Sequence, residues 1–147
     1  MHHPPSPGHT LPELCALLAA LGIALLIVAP AVARTLDGLA VRSARDAVVV
    51  EATRARMLAR ARGGAILHLD AQLGAVWVSG VAGDTLSDPI PLTARFRARI
   101  ELGTVSAATV AYDHLGLGRL ANRTVRFVRN DADARLTVSA YGRVRAW

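Results

Sequence analysis

Between Glu13 and Arg34 the chain runs for 20 residues, LCALLAALGIALLIVAPAVA, without a single charge. At about 1.5 Å per residue a helix of this length just crosses a hydrocarbon core of roughly 30 Å. A secretory signal peptide would have a shorter apolar region behind a basic start. The preceding stretch, MHHPPSPGHTLPE, contains no Arg or Lys and puts Glu13 at the edge of the run. A buried helix of a soluble domain is the competing description. A single membrane-spanning helix suits the length better.

The remainder of the 147 residues is enough for one folded unit. With 52% of residues hydrophobic and 19% charged, the chain is too apolar for disorder and too charged for several spans. Its one cysteine, Cys15, excludes an internal disulfide framework and a Cys-rich zinc module, and inside the apolar run it acts as a small hydrophobe. All 17 basic residues are Arg and none is Lys, against 11 acids. Codon composition is the simplest cause of that bias. Its consequence is a surface of permanently charged, fork-shaped donors suited to phosphate and carboxylate.

From Arg34 to Arg62 the chain reads as a proline-free amphipathic helix. Leu36, Leu39, Ala40, Ala44, Ala47, Val50, Met57, Leu58 and Ala61 recur near a spacing of 3.6. Gly63-Gly64 supplies the stop. With the apolar run this makes a helix of about 50 residues, roughly 75 Å long. After Gly64 the period becomes two. Strands are expected at Ala65–Asp70, Gly74–Ser79, Thr93–Leu102, Ala107–Tyr112, Thr124–Arg129, Arg135–Ala140 and Arg143–Ala146, with loops at Gly80–Pro91, His114–Asn122 and Asn130–Ala134. Within Thr93–Leu102, Phe96, Ala98, Ile100 and Leu102 alternate with Arg95, Arg97, Arg99 and Glu101, the pattern of a half-solvated antiparallel strand. The fold class that follows is α+β: a long N-terminal helix, half transmembrane and half amphipathic, packed on a small antiparallel β head.

The segment PGHTLPELCALLAALGIALLIVAP resembles the leader and first helix of type IV pilins and type II secretion pseudopilins. In that class a leader ending in Gly is removed, and the mature chain begins aromatic-Thr-Leu-X-Glu-Leu before an apolar helix. The resemblance makes Gly8 the last leader residue and His9 the first mature one, with Thr10, Leu11, Glu13 and Leu14 in register. Gly22 and Pro30 stand where the class loosens its helix. It implies a leader over 1–8, a transmembrane assembly helix over 9–33, a helical extension over 34–63 and a β head over 64–147. It also implies that Glu13 pairs with the freed amine of a neighbouring subunit. That accounts for a carboxylate at a membrane rim, where a bare charge is costly. His9 replaces the usual Phe at the residue the class methylates. Arg34, Arg42 and Arg45 follow the span while the leader carries no basic residue, so a literal positive-inside count opposes the motif's orientation. The motif prevails here, because the peptidase acts on the cytoplasmic side.

The passage LDGLAVRSARDAVVVEATRARMLARARGGAILHLD and the ending TVRFVRNDADARLTVSAYGRVRAW resemble the GspH/FimT group of minor pseudopilins. That resemblance implies a non-enzymatic inner-membrane protein with a periplasmic head. Its partners would be a prepilin peptidase and other minor and major pseudopilins, and no cofactor is implied. The primary reading is a structural subunit in the tip complex of a type II secretion pseudopilus. The alternative is a type IV pilus minor pilin that binds DNA for uptake. For the second, Arg143 and Arg145 flank Val144 on one expected strand, with Arg126, Arg129 and Arg123 nearby in sequence. Such a cluster would grip phosphates without reading bases, or would simply be the solvated face of a half-buried sheet. Trp147 would stack on a base or plug the sheet edge.

Other constellations point to less. Asp113-His114 and His68-X-Asp70 would bind a metal only if they met in space. Ser43, Ser79 and Ser139 lack a nucleophile-elbow context or a neighbouring base in sequence. Gly116–Gly118 reads as a turn.

Overall fold

The computed structural model describes residues 10–119, 122–139 and 141–147, in two compact units: one up to Thr35, the other Leu36–Trp147. Gly8 and His9 lie outside the described residues. Helix α1 spans Leu11–Arg62. Its start is capped from within: the Thr10 backbone N–H and hydroxyl donate to the Glu13 carboxylate at 3.0 and 3.3 Å. This satisfies a donor that the first turn leaves open and sets a negative charge at the positive end of the helix. Pro30 has no N–H to give, yet the helix continues through it. In this unit the large apolar side chains all face outward, from 50% exposed at Val32 to 79% at Leu11.

In the second unit the remaining turns of α1 close a core between two antiparallel sheets. The strands are β1 (Gly64–Asp70), β2 (Ala75–Gly80), β3 (Ile90–Pro91), β4 (Arg99–Glu101), β5 (Ala107–Asp113), β6 (Gly118–Arg119), β7 (Arg123–Arg129), β8 (Ala132–Val138) and β9 (Val144–Ala146). The first sheet is ordered β3-β2-β1-β5-β6 and the second β4-β7-β8-β9. Leu67, Leu69, Val76, Val78 and Val110 point inward from one; Ile100, Val125, Phe127, Leu136 and Val138 do so from the other. The expected small antiparallel head is present, built as two sheets joined through a shared core.

Three local expectations are corrected. The buried stripe of α1 is Val41, Ala44, Val48, Glu51, Ala52, Ala55 and Ala59, whereas Leu36, Leu39, Val50 and Met57 stay more than half exposed. Small side chains let a helix approach a sheet closely, so the contact face is not the one with the largest residues. The strand expected over Thr93–Leu102 survives only as β4. Its first half is a short helix, α2 (Leu92–Phe96), ended by Arg97 at φ 54. The Leu92 and Thr93 N–H groups both donate to the Gly74 carbonyl, at 2.7 and 3.2 Å, and Leu92 is fully buried. Pro91 precedes this turn in an extended conformation. The in-out alternation of Ala98, Ile100 and Leu102 persists beyond it. Finally, the loop expected over Asn130–Ala134 shrinks to Asn130-Asp131, because Asn130 takes a positive φ of 49 and lets β8 begin at Ala132.

Candidate functional site

Strand alternation fixes what the second sheet shows to solvent. Val125 and Phe127 of β7 and Ala134, Leu136 and Val138 of β8 face the core, so Thr124, Arg126, Asp133, Arg135 and Thr137 face out. The register sets Arg126 opposite Arg135 and Thr124 opposite Thr137. On the flanks, Glu101 of β4 pairs with Arg126, and Arg145 of β9 with Thr137. Beyond β9, Arg135 and Trp147 exchange backbone hydrogen bonds at 3.3 and 2.9 Å. The Ser139 N–H donates to the Arg143 carbonyl at 2.8 Å, and the Arg143 N–H returns to Ser139 Oγ at 3.1 Å. This extends the ladder and keeps Arg143 in phase with Arg145.

The face therefore carries Arg99, Arg126, Arg135, Arg143 and Arg145 against Glu101 and Asp133. Two like charges directly opposite, Arg126 and Arg135, would repel, and Asp133 reconciles them. Its Oδ2 accepts from Arg126 Nε at 3.1 Å and from Arg135 Nε at 3.3 Å, while Arg126 Nη1 reaches Glu101 at 3.5 Å. The Arg126 hydrogen bond, followed by that from Arg135, holds the Asp133 carboxyl below its ordinary range. Among the described residues, no carboxylate lies within ion-pair distance of Arg99, Arg143 or Arg145. A shallow depression between the strands is lined by Thr124, Asp133, Arg135, Thr137 and Trp147. Trp147 remains 68% exposed, so it does not plug the sheet edge. The chemistry available is that of a flat cationic surface with hydroxyls and one exposed indole.

The five arginines expected to cluster are divided. Arg126, Arg143 and Arg145 share the outer face. Arg123 and Arg129 fall in phase with Val125 and Phe127, at opposite ends of β7. Arg129 is engaged elsewhere, 2.7 Å from Asp37 and donating to the Phe96 carbonyl at 3.4 Å. Arg135 was not anticipated, although the alternation Asp133-Ala-Arg-Leu-Thr carries its signal. Glu13 lies in the first turn of α1, and Gly22 and Pro30 lie on its exposed surface.

Several other polar residues hold the fold together. Asp70 Oδ1 accepts from the Gln72 and Leu73 N–H groups, and Asp113 Oδ1 from those of Leu115 and Leu117. The β1–β5 register puts Gly64 opposite Asp113 and Asp70 opposite Ala107, so the two acid–histidine pairs sit at opposite ends of the ladder. Ser79, read as lacking a base, has one through the fold: His68 Nε2 lies 2.8 Å from its hydroxyl, and the His68 ring stacks on Trp77 with centroids 4.9 Å apart. Partial burial holds the His68 pKa below the usual value. Sequence reasoning also missed Glu51, 2% exposed, which accepts from the buried Ser87 hydroxyl and from Arg54, both at 3.0 Å.

A long helix that begins as an exposed apolar run and ends as the spine of an antiparallel head defines a pilin-like α+β fold. In particular, the chain is similar to crystal structures of the Pseudomonas aeruginosa type IV minor pilin FimU. One matches with a TM-score of 0.55 and 18% identity over 73% of this chain and 87% of that one. A second crystal form gives 0.52 and 17% over 72% and 91%. No family model matches the sequence, and no curated protein does.

Proposed function

We propose that the chain is a minor subunit of a pilin-type filament, anchored in the inner membrane by α1 with its head in the periplasm. One observation carries this reading: along the first unit every described residue is exposed, although the run from Leu14 to Ala33 is uncharged. Such a surface is stable only against lipid or against other apolar helices. A subunit that moves from bilayer to filament meets both. On this reading cleavage falls between Gly8 and His9, and Glu13 pairs with a neighbour's new amine. Gly22 and Pro30 ease bending of the helix. The protein is a peptidase substrate rather than an enzyme.

Within the class, the tip complex of a type II secretion pseudopilus is the primary assignment. A second reading, a type IV pilus subunit that grips DNA, is favoured by the outer face of the second sheet, where five guanidinium groups meet two carboxylates. The type IV pilus is also the setting named for FimU. Coexpression with a prepilin peptidase tests the common core of both. Mass spectrometry should find the chain shortened by Met1–Gly8, and Gly8→Ala should block the cut. An intact N-terminus beside an active peptidase refutes the reading. Loss of exported cargo or loss of DNA uptake in a deletion strain then separates the two machines.

A further inference from the structure

At the start of the second unit lies a groove whose floor is apolar and whose rim is cationic. Leu36, Leu39 and Ala40 of α1 form one wall; Arg95, Phe96 and Arg97 form the other. Leu36 and Leu39 are each 54% exposed. The Arg95 guanidinium stands over the Phe96 ring, 5.4 Å from its centroid. Arg97 is held at φ 54, a left-handed conformation that costs a residue other than glycine some strain. That conformation also closes α2, through the Arg97 N–H to the Thr93 carbonyl at 3.0 Å. Arg129, on the same rim, is neutralised by Asp37. Among the described residues neither Arg95 nor Arg97 has a carboxylate within ion-pair distance.

Position along the chain names the occupant. Ala33 ends the uncharged run, and Leu36 follows three residues later, at most about 11 Å of chain in any conformation. A groove that starts so close to a membrane span meets the headgroup layer. There, apolar side chains enter the acyl boundary while arginines contact phosphate. We propose that this groove is a membrane-docking surface, with Leu36, Leu39 and Phe96 entering the interface and Arg95 and Arg97 binding phosphates of anionic phospholipids. The inference rests on the membrane-anchored reading above. It adds that the head is held down on an anionic bilayer before assembly and must be released from it.

The test uses the full chain carrying Cys15→Ser and Ala94→Cys, spin-labelled at the new thiol and placed in nanodiscs. In discs of phosphatidylcholine with phosphatidylglycerol, the label's accessibility to an aqueous relaxant should fall several-fold relative to discs of phosphatidylcholine alone. Added salt should reverse the shielding, since exposed charges are screened over about 10 Å at 0.1 M. Arg95→Ala with Arg97→Ala should abolish it, and Lys at both positions should restore most of it, because the lipid surface attracts charge. Arg62→Ala with Arg119→Ala, which removes the same two charges from the end of α1 and from β6, should leave it intact. Equal accessibility in both discs, or unchanged shielding in the double Ala variant, overturns the proposal. So does shielding in detergent that rises with protein concentration, which marks a second copy, or shielding there by inorganic phosphate alone. Extraction of the chain from vesicles by alkaline carbonate would instead refute the anchor itself, and the proposal with it.

Discussion

Glu51 keeps a carboxylate inside the head because its two oxygens are both used. One accepts from Ser87, whose Oγ also accepts the Val78 N–H at 2.9 Å, and the other from the half-exposed Arg54. The loop after β2 is thereby pinned to α1. Ser87→Ala should destabilise the protein by about 2–3 kcal/mol in denaturant unfolding, since a buried carboxylate and an N–H each lose a partner. Glu51→Gln keeps the shape and an acceptor and should cost less. Titration offers a second residue-scale test. Asp113 is held below its ordinary range by the Leu117 N–H and then the Leu115 N–H, Asp133 by Arg126 and then Arg135, and His68 by burial. Values depressed in the folded state give stability that is present above the unfolded value and lost as pH falls through the folded one. The denaturation midpoint should therefore decline below pH 6.5 through His68 and again below 3.8 through the two aspartates. Asp133→Asn should flatten the second decline. Tyr112 works in reverse: burial pushes its pKa up to about 12 from 10.0, so stability should fall between those values. Its hydroxyl is buried with no partner among the described residues. Tyr112→Phe should therefore leave neutral-pH stability unchanged or slightly raised, and should remove the alkaline loss.

At the scale of elements, the joints decide the head more than the strands do. Gly142 turns the chain into β9 at φ 72, and a Cβ there would sit 2.8 Å from both the Gly118 nitrogen and Tyr112 Cε1. Left-handed strain and the clash together should make Gly142→Ala cost about 2–4 kcal/mol. Because β9 carries Arg145 and leads to Trp147, that variant should also loosen the cationic face, seen as faster amide exchange at Arg135 and Trp147. Strand positions were legible wherever the alternation was uninterrupted, as in β1, β5 and β7. They were not where a tertiary contact bent the chain. The Gly74 carbonyl captures the turn at Leu92, and no local period reports that. The α1 stripe was legible at Ala44, Ala47 and Leu58 but not at its largest members, because periodicity weighs apolar size, whereas the two sheets selected mostly small residues that let them close.

For the molecule as a whole, the arginine face is the feature whose activity separates the two functional readings. If it grips nucleic acid, the full chain in detergent should bind duplexes of unrelated sequence equally, since phosphate contacts carry no base information. Affinity should fall steeply with salt, and replacing Arg143 and Arg145 with Ala should flatten the log–log slope by about 1–2 units. Arg123→Ala should change it less, because that residue is out of phase with the outer face. Arg126→Ala would confound the measurement, as it takes one of the two arginine partners of Asp133 and releases Glu101. Binding indistinguishable between parent and double variant would leave a solvated sheet face, and the pseudopilus assignment would stand alone.

The sequence by itself determined the division of labour. An uncharged run long enough to span lipid, a helical continuation and a period-two tail define an α+β chain whose first part must be covered by something apolar. Local chemistry suffices for that, because charge and periodicity act residue by residue. Only the tertiary structure decided which helix face is core, that the strands form two sheets, and which arginines are free. Asp37 lies 92 residues from the Arg129 it neutralises, and Glu101 lies 25 residues from Arg126. Strand register, set by packing across the core, determines which charges meet.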